Sequence, residues 1–251
     1  MEIAPASGLP PAIREQILAS AIRLCKHIGY VNAGTVEFLV EKDGSAFYFI
    51  EVNPRVQVEH TVTEEVTGID IVQTQIMIAG GATFDDLGMK QEDIVCNGHA
   101  IQCRVTTEDP KQGFKPDTGR IGVYRTPGGL GVRIDGMGHQ GAIVSPYYDS
   151  LLCKIICNAR TFKGACQKLY RSLDEFRVRG VKTNVSFVKN LISHPEFYNG
   201  QVDTSFIESH PEFMYFDEES DTRMQRLLEF LGEMAVNGNT ALNPNEKCIE
   251  Y

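Results

Sequence analysis

Residues 51–59 read Glu-Val-Asn-Pro-Arg-Val-Gln-Val-Glu, with a polar or charged residue at every odd position. An extended strand sends successive side chains to opposite faces. Glu51, Asn53, Arg55, Gln57 and Glu59 would then fall on one side, roughly 7 Å apart. Carboxylates, amides and a guanidinium in one row suit metal-bound phosphates beside a small anion. The plainer reading of the same alternation is a half-buried strand with one wetted face. Against it, Glu and Asn are poor strand residues, so propensity does not account for the polar row. Pro54 cannot donate a ladder hydrogen bond, which ends a regular central strand near it.

A second carboxylate can be brought to this row. Residues 33–40 predict a strand with Val36, Phe38 and Val40 on one face and Thr35, Glu37 and Leu39 on the other. Lys42-Asp43-Gly44-Ser45 is a turn signal, and residues 46–52 return as a second strand. Such a hairpin sets Glu37 and Glu51 on neighbouring strands. Hard cations such as Mg²⁺ take oxygen ligands, commonly one or two carboxylates together with substrate phosphates. Glu37, Glu51 and Asn53 are therefore candidate metal ligands. The alternative is a pair of edge-strand glutamates in water.

Longer stretches carry a resemblance. Gly-Thr-Val-Glu-Phe-Leu at 34–39 and Phe-Tyr-Phe-Ile-Glu-Val-Asn-Pro-Arg-Val-Gln-Val-Glu-His at 47–60 resemble the metal- and bicarbonate-binding core of biotin carboxylases in the ATP-grasp superfamily. Ala-Ile-Gln-Cys-Arg-Val-Thr-Thr-Glu-Asp-Pro at 100–110 and Pro-Asp-Thr-Gly-Arg-Ile at 116–121 narrow it to the pyruvate carboxylase family. So do Ser-Pro-Tyr-Tyr-Asp-Ser-Leu-Leu at 145–152 and Phe-Arg-Val-Arg-Gly-Val-Lys-Thr-Asn at 176–184. The resemblance implies an α+β fold. Residues 1–82 would be the C-terminal half of an ATP-grasp fold. Residues 83–210 would form the biotin carboxylase C-terminal domain, mixed and largely antiparallel with helices. Residues 211–251 would be a connector helix and a divergent tail.

Roles carry over position by position as implications of that resemblance. Glu37 and Glu51 match metal-binding glutamates, with Asn53 a neighbouring metal or phosphate ligand. Arg55, Gln57 and the backbone of Val58 match positions that hold bicarbonate. Glu59 matches the general base that deprotonates bicarbonate for attack on ATP. Arg104 matches the arginine that stabilises carboxyphosphate or the biotin enolate, with Asp149 a support of that region. Leu39 and Ile50 match apolar positions against adenine. The implied cofactors are ATP, Mg²⁺ or Mn²⁺, and biotin borne on a carrier domain. The implied partners are bicarbonate, that carrier domain and further copies of the chain. Physics makes the roles coherent. Phosphoryl transfer is mostly positioning and charge stabilisation, a planar guanidinium grips a planar oxyanion in bidentate fashion, and a base must sit within about 3 Å of the proton it removes.

The remaining elements must position these residues. Ile13, Ile17, Leu18, Ala21, Ile22, Leu24 and Ile28 recur at helical spacing between Pro10-Pro11 and Gly29. A helix is expected over 70–79, several strands over 99–157, and further helices over 162–176, 185–191 and 222–236. Arg104 is expected on the polar face of a strand whose other face is Ile101, Cys103 and Val105. Arg177, Arg179 and Lys182 are expected to cap the helix before Gly180.

A net charge of −9 without a basic stripe argues against nucleic acid as a partner. No apolar run approaches 18 residues and no secretory signal is seen, which argues against membrane insertion. Seven cysteines without CxxC spacing fit a reducing compartment, the cytosol or the mitochondrial matrix. Cys153 and Cys157 lie in an apolar run and are expected in the core. The family's ATP-gripping Arg-Arg-His-Gln-Lys stretch, glycine-rich lid, carboxyltransferase barrel and Met-Lys-Met biotinylation motif have no counterpart here, which predicts a fragment inactive by itself. The alternatives are the equivalent piece of an acyl-CoA carboxylase and a non-catalytic short form that associates with the full-length enzyme.

Overall fold

A strand buried on both faces needs apolar side chains at consecutive positions, and two central strands of this protein meet that demand. The computed structural model describes residues 1–215 and 222–237. It contains β1 (Glu2–Ala4), α1 (Pro11–His27), β2 (Thr35–Val40), β3 (Phe47–Asn53), α2 (His60–Thr67) and α3 (Ile71–Ala79). After these come β4 (His99–Thr106), β5 (Glu108–Asp109), β6 (Lys115–Pro116), β7 (Gly119–Arg120), β8 (Val123–Arg125), β9 (Val132–Gly136), β10 (Ile143–Val144) and β11 (Leu151–Ala159). The chain continues through α4 (Phe162–Glu175), β12 (Arg177–Arg179), α5 (Val185–Ser193), α6 (Pro195–Tyr198) and α7 (Thr222–Asn237). Chain contacts separate a unit Met1–Met214 from a unit Tyr215–Tyr251.

The core of the first unit is an antiparallel sheet in the order β1-β4-β11-β9. On one face of β4 and β11 lie Ile101, Cys103, Val105, Ile155 and Cys157, all buried with Ala165, Cys166, Leu169 and Leu173 of α4. Cys157 Sγ lies 3.5 Å from Ser172 Oγ of α4. On the other face Ala100 and Ile156 form a cluster with Val62 and Val66 of α2. Burying two valines in this way contributes about 1.5–3 kcal/mol each and docks α2 on the sheet. The cysteines named as core residues are buried and free.

The first helix starts with Pro11 at its first turn, where a missing N–H costs nothing, and ends just before left-handed Gly29. None of its residues is buried. The same holds for α3, whose N-cap Asp70 accepts from the N–H of Gln73. The strand ends where Pro54 predicts: β3 stops at Asn53, the chain bends, and Glu59 becomes the N-cap residue of α2, so the polar row 51–59 does not continue as one strand face. One sequence expectation needs correction. Arg177 and Arg179 do not cap a helix, because α4 ends at Glu175 and both lie in β12, paired with β8. In the second unit α7 forms where expected, with Leu227, Leu228 and Leu231 exposed. The divergent tail, 239–251, lies outside the described residues.

Candidate functional site

The hairpin β2–β3 pairs Glu37 with Glu51 directly, and pairs Phe38 with Phe49. Two residues on β3 thus span a gap of one on β2, so Ile50 is the extra residue of a bulge. The bulge decides the chemistry. Strict alternation would put Glu51 on the face of Phe47 and Phe49, whose rings pack edge-on against Phe38 at 5.6 and 6.1 Å. The added residue turns Glu51 to the face of Glu37.

Asn53 confirms that shared face. Its Nδ2 donates to Glu37 Oε1 and to Glu51 Oε1, at 2.9 Å each. Gln57 Nε2 donates to the same Glu37 oxygen at 3.0 Å. The bend at Pro54 thus does what a continuous strand would not: it folds Gln57 back onto Glu37. Gln57 Oε1 is buried without a hydrogen-bond partner, an acceptor waiting for a donor or a cation. Arg55 stays exposed, its Nη1 3.4 Å from the carbonyl of Val56. Leu39 and Ile50 are exposed near the carboxylates, beside Tyr48.

The second half of the site comes from the sheet. Arg104 projects from β4 with Nη2 3.5 Å from Glu59 Oε2, so the residues matching base and arginine are neighbours. Sequence reasoning missed what holds Arg104. Glu2 of β1 accepts from its Nε at 2.8 Å and lies 2.7 Å from its Nη2, while the other Glu2 oxygen accepts from Gln102 Nε2 at 2.8 Å. Gln102 in turn contacts the buried Thr61 hydroxyl of α2. Lys154 was missed as well: its Nζ donates to the carbonyl of Val58 at 3.3 Å and lies 3.6 Å from Asp135. A polar residue inside an apolar strand, as Lys154 is in β11, was the available signal. Asp149 accepts from the backbone N–H of Leu151 at 2.9 Å, at the turn that opens β11.

Ion pairs fix α2, and with it Glu59. Glu64, buried on α2, accepts from Arg133 Nη1 at 2.7 Å and from the N–H of Ile71 at 2.8 Å. Arg133 also grips Asp135 in bidentate fashion, both contacts at 2.8 Å. Burial pushes the Asp135 carboxyl up, but Arg133 and Lys154 outweigh it and hold it below its ordinary range. Gly68, left-handed at the C-cap, ends α2 and returns its N–H to the Glu64 carbonyl.

Two family models match in tandem: the carbamoyl-phosphate synthase L chain ATP-binding domain over residues 1–87, and the biotin carboxylase C-terminal domain over residues 102–209. Pyruvate carboxylase 1 of Caenorhabditis elegans is 55% identical over 241 residues, 96% of this chain and 20% of the relative. The chain matches the biotin carboxylase region of pyruvate carboxylases along nearly its whole length. It spans about a fifth of the length of the curated relatives it matches. A complete multifunctional pyruvate carboxylase from Rhizobium etli, with TM-score 0.83 and 47% identity, covers 94% of this chain, which covers 23% of it. The biotin carboxylase domain dimer of Hydrogenobacter thermophilus 2-oxoglutarate carboxylase, in complex with MgADP, ADP and bicarbonate, gives a TM-score of 0.82 at 41% identity, over 86% of this chain and 47% of its own. The α+β architecture, half an ATP-grasp fold followed by the biotin carboxylase C-terminal domain, is that of the family.

Proposed function

We propose that this chain carries the metal- and bicarbonate-binding half of a biotin carboxylase site, which in the whole enzyme carboxylates biotin with ATP and bicarbonate for transfer to pyruvate, giving oxaloacetate. One observation carries the reading: Glu37 and Glu51 meet as a cross-strand pair on one face, joined through Asn53, with Gln57 on the same Glu37 oxygen. The donor set fits Mg²⁺ or Mn²⁺, being two carboxylates and the Asn53 amide, hard oxygen ligands once Asn53 turns its Oδ1 inward. Magnesium bound there would neutralise charge on the phosphates of ATP.

The chain's own residues supply the rest. Arg55, exposed and without a carboxylate partner among the described residues, is placed to grip bicarbonate with Gln57 and the backbone of Val58. Glu59 takes the bicarbonate proton. Arg104, held by Glu2, supplies a fixed positive charge to developing oxyanions, a contribution often worth about 3–4 kcal/mol. Leu39 and Ile50 offer an apolar wall to adenine. The two matched stretches support a domain boundary near residue 82 and a connector from 211. Biotin reaches the site on a carrier domain, and the homologous domain dimer supports association of copies through this region. The free described cysteines fit a reducing compartment, the cytosol or the mitochondrial matrix.

The test is Glu59→Gln in the complete enzyme. Bicarbonate-dependent ATP cleavage should fall at least about 100-fold, the usual worth of a general base, with nucleotide binding intact. Normal turnover in that variant removes Glu59 as the base.

A further inference from the structure

A second cluster of ligating side chains lies away from the carboxylate pair, at the C-terminal end of the first unit. His194 follows α5 and His210 precedes the short 3-10 turn Pro211–Met214, which contains Glu212. One ligand atom from each of the three lies within 4.8 Å of the other two. The two imidazole rings are 4.3 Å apart between centroids.

Two features of hydrogen bonding point to an ion. His194 Nδ1 is buried and has no partner, so a polar atom has left water without compensation. His210 Nδ1 lies 2.8 Å from the carbonyl oxygen of Phe206. A carbonyl only accepts, so Nδ1 carries the proton and Nε2 presents its lone pair. That is how a metal-binding imidazole is usually oriented by its surroundings. Glu196 Oε1 stands 4.0 Å from this Nε2 as a further nearby carboxylate. Phe206 and Phe213 are buried against both rings, which keeps the dielectric low.

We propose that His194, His210 and Glu212 bind one Zn²⁺ ion, with the fourth position open to water. Two imidazoles and one carboxylate suit zinc, whereas magnesium prefers an all-oxygen set. Tetrahedral ligation at about 2.0–2.1 Å spaces ligand atoms roughly 3.4 Å apart, so the ligands must close in. Glu212 is exposed and has the rotamer freedom to do so. Such an ion would clamp the last turn of the unit to the end of α5.

The experiment uses the purified chain, stripped with chelator and held in excess Mg²⁺ to occupy the carboxylate pair. Titration with Zn²⁺ by calorimetry, and with Co²⁺ as an optical probe, should show one equivalent bound. The cobalt form should give an intense tetrahedral d–d spectrum without a thiolate charge-transfer band, which separates the site from free cysteines. His194→Phe and His210→Phe keep an aromatic ring in the cluster, and each should weaken Zn²⁺ at least about tenfold, as should Glu212→Gln. Circular dichroism confirms that the variants fold. No stoichiometric binding, or wild-type affinity in the folded phenylalanine variants, would mean that the rings serve aromatic packing alone and would overturn the proposal. Neither result bears on the carboxylate pair.

Discussion

Asn53 is the residue on which the candidate site turns. It donates to Glu37 and Glu51 together, so one amide joins the two carboxylates. Glu37→Gln removes a formal charge while keeping an oxygen ligand, and should weaken Mn²⁺ by about tenfold or more, read by electron paramagnetic resonance. Equal affinity in variant and parent would show that the pair is merely a wetted edge. A different carboxylate reports on pH. The Asp203 carboxyl is lowered to about 2 by its hydrogen bond with Lys42, in the turn between β2 and β3, and by bonds from Ser205. Its folded value lies below the ordinary one, so its contribution to stability is present above about pH 4 and is lost as pH falls towards 2. Lys42→Ala should return Asp203 towards its ordinary range in a carboxyl titration followed by NMR. An unchanged titration would assign the shift to Ser205 alone.

At the scale of elements, local irregularities matter more than regular stretches. The hairpin was legible from 33–40, the Asp-Gly turn and 46–52, but its register was not, because a bulge at Ile50 leaves no signature in an apolar run. Helix α2 escaped sequence reading because its eight residues are too short for a clear apolar period and no side chain caps its start, although Pro54 did mark the end of β3. Gly180 illustrates a glycine that was noticed for the wrong reason. It caps no helix. It has φ of +104°, and a Cβ there would stand 2.1 Å from the carbonyl oxygen of Arg120. Gly180→Ala should therefore strain both the backbone and the β7–β8 connection, costing about 2–3 kcal/mol in denaturant unfolding. A loss below about 0.5 kcal/mol would show that this backbone yields easily.

For the molecule as a whole, two regions differ in how well they are covered. The sheet with α2 and α4 has a closed core, whereas no residue of α1 or α3 is fully buried and Leu18, Ile22, Ile76 and Met77 are exposed. Leu39, Tyr48, Phe49 and Ile50 are exposed as well, on the hairpin that bears the carboxylates. Nothing among the described residues shields this surface from water, and an activated carboxyl group there would hydrolyse. The isolated chain should accordingly show no biotin-dependent ATP cleavage in a phosphate-release assay, and turnover above background would refute that. Among the described residues no helix is long and apolar enough to cross a membrane.

The sequence by itself determined which residue types could do chemistry and which runs would be strand or helix, since periodicity and turn residues act over a few neighbours. It marked Ile101, Cys103 and Val105 as a buried face and Arg104 as their polar counterpart, and the sheet agrees. Tertiary structure alone decided that Glu37 and Glu51 share a face, that Gln57 folds back on Glu37, and that Glu2 holds Arg104 beside Glu59. Those contacts join residues up to 102 positions apart. Their geometry depends on a bulge, a bend and the docking of α2, which packing settles and local propensity does not.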